Sequence, residues 1–165
     1  GVPHLWKVGH AFAKVKLREL GAIVGGELAG HYYFRDFFCC DSAFLCAMLV
    51  LGVAAKVKQE GRSFSDLLKA IDPYANTGEC NYTIEEKDAA IDAVIEAAKQ
   101  EFGEPSVFLD FDGVRCEWPT WWFNIRKSNT EPYLRLVAEA QTKAELAERK
   151  AFIEKVLEAF IRKGN

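Results

Sequence analysis

The dipeptide Asp72-Pro73 separates two stretches of the chain that have different hydrophobic patterns. Proline lacks a backbone N–H and disfavours helical backbone at the residue before it, so a helix is not expected to continue through this point. We therefore predict two domains, residues 1–73 and 74–165. A chain of 165 residues is long enough for two small domains, of which at least one relies on a neighbour for burial.

The first stretch combines short apolar runs with helical periodicity, which predicts an α/β domain. An aromatic strand is expected at Tyr32–Phe38, and Asp41 is the predicted N-cap of a long apolar helix that ends near Gln59. Ser63 is the predicted start of a further short helix. Before these elements we predict a right-handed βαβ unit in a mixed sheet. Its strand, helix and strand are Val2–Lys7, His10–Leu20 and Ala22–Gly25.

The second stretch has the predicted order β-α-β-β-β-β-α, which favours an α+β domain with two helices on one face of a single sheet. Thr83 and Thr142 each begin a T-x-x-E sequence, the pattern of a capping box, so we expect a helix to start at each. Gly103 is the predicted end of the first helix. The predicted strands are Glu79–Thr83, Ser106–Phe111, Gly113–Trp118, Trp121–Arg126 and Tyr133–Glu139.

Composition and charge disfavour several classes of function. The net charge is −3 and the pI is about 5.7, without a basic face, so we expect no nucleic-acid binding. The five cysteines are irregularly spaced and form no CxxC pair, which favours reduced thiols in the cytoplasm over disulfides or zinc. The apolar stretch Ala43–Ala55 is shorter than the roughly 20 residues of a membrane span, so we expect a buried helix there and no membrane partner.

The segment RKSNTEP, residues 126–132, lies between two predicted strands and is rich in hydrogen-bond donors. A phosphate group favours an arginine fork, hydroxyl donors and backbone N–H groups that converge on one point. Arg126 supplies the fork, Ser128 and Thr130 supply hydroxyls, and Asn129 tolerates the left-handed backbone of a tight loop. The segment is therefore a candidate phosphate site, although a polar turn is the more common explanation of such a stretch.

A second candidate is the glycine-rich turn at residues 25–31, where Glu27 and His31 project polar groups between three glycines. Glycines allow a ligand to approach the backbone, and a carboxylate is a common partner of sugar hydroxyls. The alternative is a hairpin turn whose Glu27 and His31 are solvated. His10 begins a helix directly after a predicted strand, which is a favourable position for ligand contact in α/β sheets, although a helix cap is the simpler explanation.

Taken in order, these segments resemble the α-D-phosphohexomutases of the phosphomannomutase/phosphoglucomutase type. KVGH at residues 7–10 resembles the K-x-G-H segment of that family, and GELAGH at residues 26–31 resembles its sugar-binding loop, usually G-E-x-S-G-H. DGVR at residues 112–115 and RKSNTEP, with Arg135 beyond it, resemble the D-G-x-R and R-x-S-N-T-x-P segments of its phosphate-binding domain. The order and separations agree across essentially the whole chain.

The resemblance implies a four-domain enzyme built around one cleft. The first domain carries a phosphoserine that donates its phosphoryl group, and a Mg²⁺ ion held by an aspartate-rich loop of the second supports the transfer. The third domain holds sugar hydroxyls, and the fourth, which is similar to the TATA-binding-protein fold, holds the phosphate that is not reacting. This chain then comprises part of the third domain followed by the fourth.

The same resemblance assigns roles to residues of this chain. Glu27 is expected to accept hydrogen bonds from ring hydroxyls, with Ala29 and His31 in the same loop. His10 is expected near the reacting centre, as a proton-transfer or phosphate-positioning group. Ala29 stands where the family usually has serine, so one contact worth about 1 kcal/mol is missing. The residues expected to hold the phosphate are Arg126, Ser128, Asn129 and Thr130, with Arg135 in support.

The chain contains no phosphoserine loop of the T-A-S-H-N type and no D-G-D-x-D-R metal loop. We therefore expect it to be inactive alone and to bind no cofactor, with Mg²⁺ confined to a full-length parent. The expected ligands are hexose 1-phosphate, 6-phosphate and 1,6-bisphosphate, of mannose or glucose. The alternative is a non-catalytic phosphosugar-binding module. The sequence begins with Gly1 instead of Met, which indicates a piece of a longer protein. Uncovered apolar surface in such a piece predicts self-association.

Overall fold

The chain divides into two units, Gly1–Asp72 and a second that begins at Pro73. The computed structural model describes residues 1–128 and 131–161. The first unit contains an antiparallel sheet in the order β1-β2-β3. These strands are Val24–Gly26, Tyr32–Phe34 and Cys40–Asp41.

The predicted aromatic strand at Tyr32–Phe38 is shorter than expected. After β2 the chain forms a short 3-10 helix at Arg35–Phe37. Phe38 and Cys39 then adopt left-handed backbone, with φ of 58° and 56°, and turn the chain back into β3. A run of aromatic residues therefore favoured a strand by composition, but the turn to β3 ends it after three residues.

Helix α1, His10–Leu20, is confirmed at both predicted ends. Gly21 ends it in left-handed backbone, with its N–H bonded to the carbonyl of Arg18. Leu17 is buried with Tyr33 and Cys39, and it packs closely on β1, because a Cβ at Gly25 would lie 2.8 Å from Leu17 Cδ1. This close approach of helix and strand positions the turn that follows β1.

The predicted βαβ unit is wrong, although the α/β class of the first unit is confirmed. Among the described residues, none from Val2 to Lys7 joins a sheet. A strand requires backbone partners, and the three strands of this unit satisfy one another as an antiparallel meander. No parallel crossover is therefore formed around α1 in the described part of the chain.

Two helices complete the first unit: α2, Ala43–Gln59, and α3, Phe64–Ile71. Ser42 is the N-cap of α2, so the prediction of Asp41 as the cap is wrong, whereas Ser63 caps α3 as predicted. The expected burial of α2 is also wrong, since Val57 is its single residue buried against the described part of the chain. A small sheet and two short helices offer too little surface to cover a helix that is apolar on all sides.

Within residues 1–128 and 131–161, no helix combines the length and apolar content that a bilayer crossing requires.

The second unit is built on a six-stranded antiparallel sheet in the order β4-β9-β8-β7-β6, with β5 also paired to β9. Side chains alternate between buried and half-buried positions along all of β9 and along β8 as far as Arg126. One face therefore carries a core and the other carries polar groups. The strands are Ala75–Asn76, Cys80–Thr83, Val107–Leu109, Val114–Glu117, Trp121–Lys127 and Tyr133–Ala140.

Helices α4, Lys87–Phe102, and α5, Lys143–Leu157, pack on the buried face of this sheet and confirm the predicted α+β organisation. Thr142 caps α5 as predicted, since its hydroxyl accepts the N–H of Glu145 at 3.1 Å. The capping box at Thr83 is wrong, because Thr83 is the last residue of β5 and pairs with Tyr133. Strand pairing has overridden a local capping signal there.

Gly113 fixes the position of the turn between β6 and β7 against β8. Its φ is 73°, and a Cβ at this position would overlap Arg126 Cβ and lie 2.7 Å from the carbonyl oxygen of Ile125. Both the backbone conformation and the space therefore require glycine. Gly78 has a similar φ of 64°, but a Cβ there would meet no atom of the described chain within 4 Å.

We predict that Gly113→Ala destabilises the protein far more than Gly78→Ala. Both changes place a side chain in left-handed backbone, at a cost of about 1 kcal/mol. Gly113→Ala adds an overlap with β8 that costs about 1–3 kcal/mol more. The free energy of unfolding from urea titration measures both. Equal losses in the two variants would contradict the close approach of Gly113 to Arg126.

Candidate functional site

Glu27 lies in the turn between β1 and β2 and is held in place from two directions. Its Oε1 accepts a hydrogen bond from the hydroxyl of Tyr33 at 2.6 Å and another from the backbone N–H of Gly9 at 3.3 Å. Tyr33 is 1% exposed, and burial, with the nearby Glu27, raises the pKa of its hydroxyl well above the usual value. Tyr33 is therefore a permanent donor, and both bonds leave Oε2 as the second acceptor of Glu27.

The bond from Gly9 brings two sequence-predicted segments together. Gly9 precedes His10, the first residue of α1, so the N-terminus of this helix lies beside the Glu27 turn. His10 is exposed, and the first turn of α1 has no acidic residue. Ala29 is also exposed, in the turn that the N–H of Gly30 closes on the carbonyl of Glu27 at 2.9 Å.

His31 forms a pair with Asp41. Its Nδ1 lies 2.6 Å from Asp41 Oδ2, and Asp41 Oδ1 accepts the backbone N–H of Tyr32 at 3.0 Å. The hydrogen bond and then the charge of Asp41 raise the pKa of His31, with a further contribution from Glu27. The hydrogen bonds from His31 and then Tyr32 lower the pKa of Asp41. Asp41 therefore orients an imidazole and does not cap α2.

The predicted phosphate residues Arg126 and Arg135 lie directly opposite each other on β8 and β9. Both are on the face of the sheet away from the helices. Glu79 bridges them, with Oε1 3.1 Å from Arg135 Nη1 and Oε2 3.3 Å from Arg126 Nη2. Glu131 holds the other end of Arg135, at 2.6 Å between Oε2 and Nη2. Two guanidinium groups thus converge on one carboxylate.

Ser128 closes the loop that follows Arg126. Its backbone N–H donates to the carbonyl of Tyr133 at 2.9 Å, and its Oγ accepts the N–H of Glu131 at 3.2 Å. Asn129 and Thr130, also predicted to hold the phosphate, lie outside the described residues. Lys127 belongs to the opposite face of the sheet, where it pairs with Asp88 of α4 at 2.8 Å.

Sequence reasoning missed three residues that organise these groups. Tyr33 was part of an expected aromatic strand, and nothing in its surroundings distinguished it from its neighbours. The sequence pattern predicts a helix cap at Asp41 and the first residue of a strand at Glu79. The carboxylates of Asp41 and Glu79 meet partners 10 and 47 or more residues away in sequence, so only the folded chain reveals their role.

A magnesium ion was expected only in a full-length parent. In the described part of the chain, no three His, Cys, Asp or Glu side chains form a group that could hold a metal ion. The carboxylates at the candidate sites are already paired with cations or donors. The described residues therefore do not fit a Mg²⁺ site. All five cysteines lie within the described residues and are free thiols.

Comparison with known families gives two adjacent matches. Residues 1–74 match the model of the phosphoglucomutase/phosphomannomutase alpha/beta/alpha domain III. Residues 79–156 match the model of the phosphoglucomutase/phosphomannomutase C-terminal domain.

Individual relatives agree with these matches. Phosphohexose mutases of Xanthomonas campestris pv. campestris are 40% identical over 150 residues, which cover 90% of this chain and 32% of the relative. A phosphomannomutase/phosphoglucomutase of Pseudomonas aeruginosa is 34% identical over 162 residues, covering 96% of this chain and 34% of the relative. The chain therefore spans about a third of the length of these relatives.

A solved structure shows the same likeness. The X-ray structure of a phosphoglucomutase/phosphomannomutase family protein from Burkholderia thailandensis matches with a TM-score of 0.73 and 32% identity, over 93% of this chain and 32% of that one. Both the sequence and the fold thus agree over nearly the whole length of the chain. The chain belongs to the phosphoglucomutase/phosphomannomutase family and carries its domain III and C-terminal regions.

Proposed function

We propose that this chain supplies the sugar and phosphate recognition of a phosphohexomutase that interconverts hexose 1-phosphate and hexose 6-phosphate. This proposal is supported by the relatives, which are named phosphohexose mutases and phosphomannomutases. The observation that carries it for this chain is the convergence of Arg126 and Arg135 on one carboxylate. A pair of guanidinium groups that holds one oxyanion has the charge and geometry to hold another.

The phosphate of the substrate would bind between these arginines. Arginine forks donate two parallel hydrogen bonds to planar or tetrahedral oxyanions, and bonds to charged groups are about twice as strong as neutral ones. The hydroxyl of Ser128, which directly follows β8, would provide the rim of this site. Arg126 is held in position by Gly113, which lets the turn before β7 approach its backbone.

Glu27 would receive the hydroxyl groups of the sugar. A carboxylate fixed by Tyr33 and Gly9 is preorganised, so little conformational entropy is lost when a ring hydroxyl donates to it. His10 would lie close to the same sugar or its phosphate, because Gly9 joins its helix to the Glu27 turn. Ala29, in place of the usual serine, would leave this loop one hydroxyl short.

Phosphoryl transfer itself would require groups from the rest of a full-length protein. The resemblance places a phosphoserine and a Mg²⁺ ion in other domains, and the Mg²⁺ ion would neutralise charge on the transferring phosphoryl group. The described residues of this chain would then orient the substrate without making or breaking its bonds. Alone, the chain is proposed to bind phosphosugar weakly and to be inactive.

We predict that Arg126→Ala abolishes phosphate binding, whereas Lys127→Ala leaves it nearly unchanged. Both variants remove one positive charge from the same strand, but Lys127 faces α4 and pairs with Asp88. Titration with inorganic phosphate, followed by amide NMR, should shift the signal of Ser128 first in the wild-type chain. Shifts that persist in Arg126→Ala, or that avoid Ser128, would contradict the proposed site.

We predict that the pairing of His31 with Asp41 makes the stability of the protein depend on pH. Because the pKa of His31 is raised, its full contribution to stability is present below pH about 6.5. That contribution is lost as the pH rises through the raised pKa. Because the pKa of Asp41 is lowered, its contribution to stability is present above its usual pKa of 3.8. That contribution is lost as the pH falls through the lowered pKa. NMR titration should therefore show a lower pKa for His31 in Asp41→Asn than in the wild-type chain. An unchanged pKa would contradict the pairing.

A full-length parent protein should be an active mutase. We expect it to convert glucose 1-phosphate or mannose 1-phosphate to the corresponding 6-phosphate, and we expect Arg126→Ala to reduce kcat/KM by at least tenfold. The reason is that a charge-assisted bidentate contact is worth about 1.5–3 kcal/mol. A coupled assay on both substrates measures this. A parent that binds both sugars but converts neither would instead support a non-catalytic binding module.

A further inference from the structure

The edge of the second sheet contains a bulge that ends at Glu79. Strands β4 and β5 both pair with β9, with Asn76 opposite Glu139 and Cys80 opposite Leu136. Three residues, 77–79, therefore lie opposite two residues of β9, 137 and 138. One extra residue in an edge strand is a β-bulge, a feature that redirects the side chains beside it.

Several hydrogen bonds hold this bulge in a single conformation. The N–H of Thr77 donates to the carbonyl of Ala138 at 3.0 Å, and the Thr77 hydroxyl accepts the N–H of Ala138 at 2.9 Å. The N–H of Gly78 donates to Asn76 Oδ1 at 2.6 Å. Gly78 also has a positive φ of 64°. The backbone that carries Glu79 is thus fixed.

The direction of the Glu79 side chain follows from this geometry. Cys80 packs against the core between sheet and helices, so Glu79 projects to the polar face. There its carboxylate contacts both Arg126 and Arg135. The bulge therefore delivers a negative charge to the point where the two guanidinium groups meet.

The charges at this point balance. Arg126 and Arg135 contribute two positive charges, and Glu79 and Glu131 contribute two negative charges. An incoming phosphate with about two negative charges would meet a neutral site that already contains a carboxylate. If Glu79 turned away, the remaining three side chains would carry one positive charge and would attract the same phosphate.

We propose that Glu79 occupies the place of the phosphate in the ligand-free cradle of Arg126 and Arg135, and that phosphate binds by displacing its carboxylate. This inference rests on the proposed phosphate site. Glu79 is suited to leave, because its side chain is 31% exposed and its contacts, at 3.1–3.3 Å, are longer than the 2.6 Å contact of Glu131 with Arg135. Glu131 can therefore keep Arg135 in place during the exchange.

The consequence is a cradle with limited affinity and rapid release. Each phosphate that binds replaces the Glu79 carboxylate. The net gain in binding free energy is therefore smaller than it would be at a pair of arginines that held no anion. Two like charges that face each other across neighbouring strands are unfavourable when left unpaired. Glu79 thus holds Arg126 and Arg135 together while no phosphate is bound, and it lowers the barrier to phosphate release.

The test compares Glu79→Gln with the wild-type chain by calorimetric and NMR titration with inorganic phosphate. We expect phosphate to bind ~5-fold more tightly to Glu79→Gln, since the competing charge is removed from a partly exposed pair. Asp88→Asn is the matched control, because it removes one carboxylate from a salt bridge with Lys127 on the other face of the sheet. Its phosphate affinity should equal that of the wild type.

A second variant, which conserves the charge, separates the effect of the charge from an effect on folding. Glu79→Asp keeps the charge but shortens the side chain by one methylene, so it can no longer bridge both arginines, and it should bind phosphate with intermediate affinity. Amide spectra establish that each variant is folded. Unchanged or weaker phosphate binding in folded Glu79→Gln overturns this inference while leaving the Arg126-dependent site intact. If Arg126→Ala and Glu79→Gln both bind phosphate as the wild type does, the proposed phosphate site itself is wrong.

Discussion

The register of β8 against β9 is the constraint on which the second unit depends. It places Arg126 directly opposite Arg135, and two like charges at that spacing are unfavourable unless an anion lies between them. Glu79 supplies it in this structure. Because side chains alternate along each strand, a shift of β8 by one residue would turn Arg126 toward the helices and the core residues of β8 outward. Burial of the core on one face therefore enforces the charge arrangement on the other.

The first unit uses a fixed carboxylate in a different way. Glu27 is held by the buried hydroxyl of Tyr33 and by the N–H of Gly9, and His31 is oriented by Asp41. Each group with a proposed role is thus positioned by a second group that a ligand would not need to touch. Such support reduces the entropy lost on binding and fixes which atoms face the ligand.

The errors of prediction share one physical origin. Val2–Lys7 and α2 have the composition of buried elements. Within the described chain, however, Val2–Lys7 is exposed and α2 buries only Val57. The hydrophobic pattern predicts which face of an element is apolar. Burial of that face also requires a partner surface, and the partner surface of the first unit is small. The Thr83 error is similar, because a local capping pattern lost to the backbone pairing of β5 with β9.

The sequence by itself determined the local elements and the chemical inventory. Helix α1, the caps Ser63 and Thr142, the α+β organisation of the second unit and the order of the family motifs follow from local preference, periodicity and residue identity. The tertiary structure alone decided which groups meet. Glu79 reaches Arg126 across 47 residues of sequence and Gly9 reaches Glu27 across 18, since such contacts depend on strand register and a bulge that no local pattern encodes.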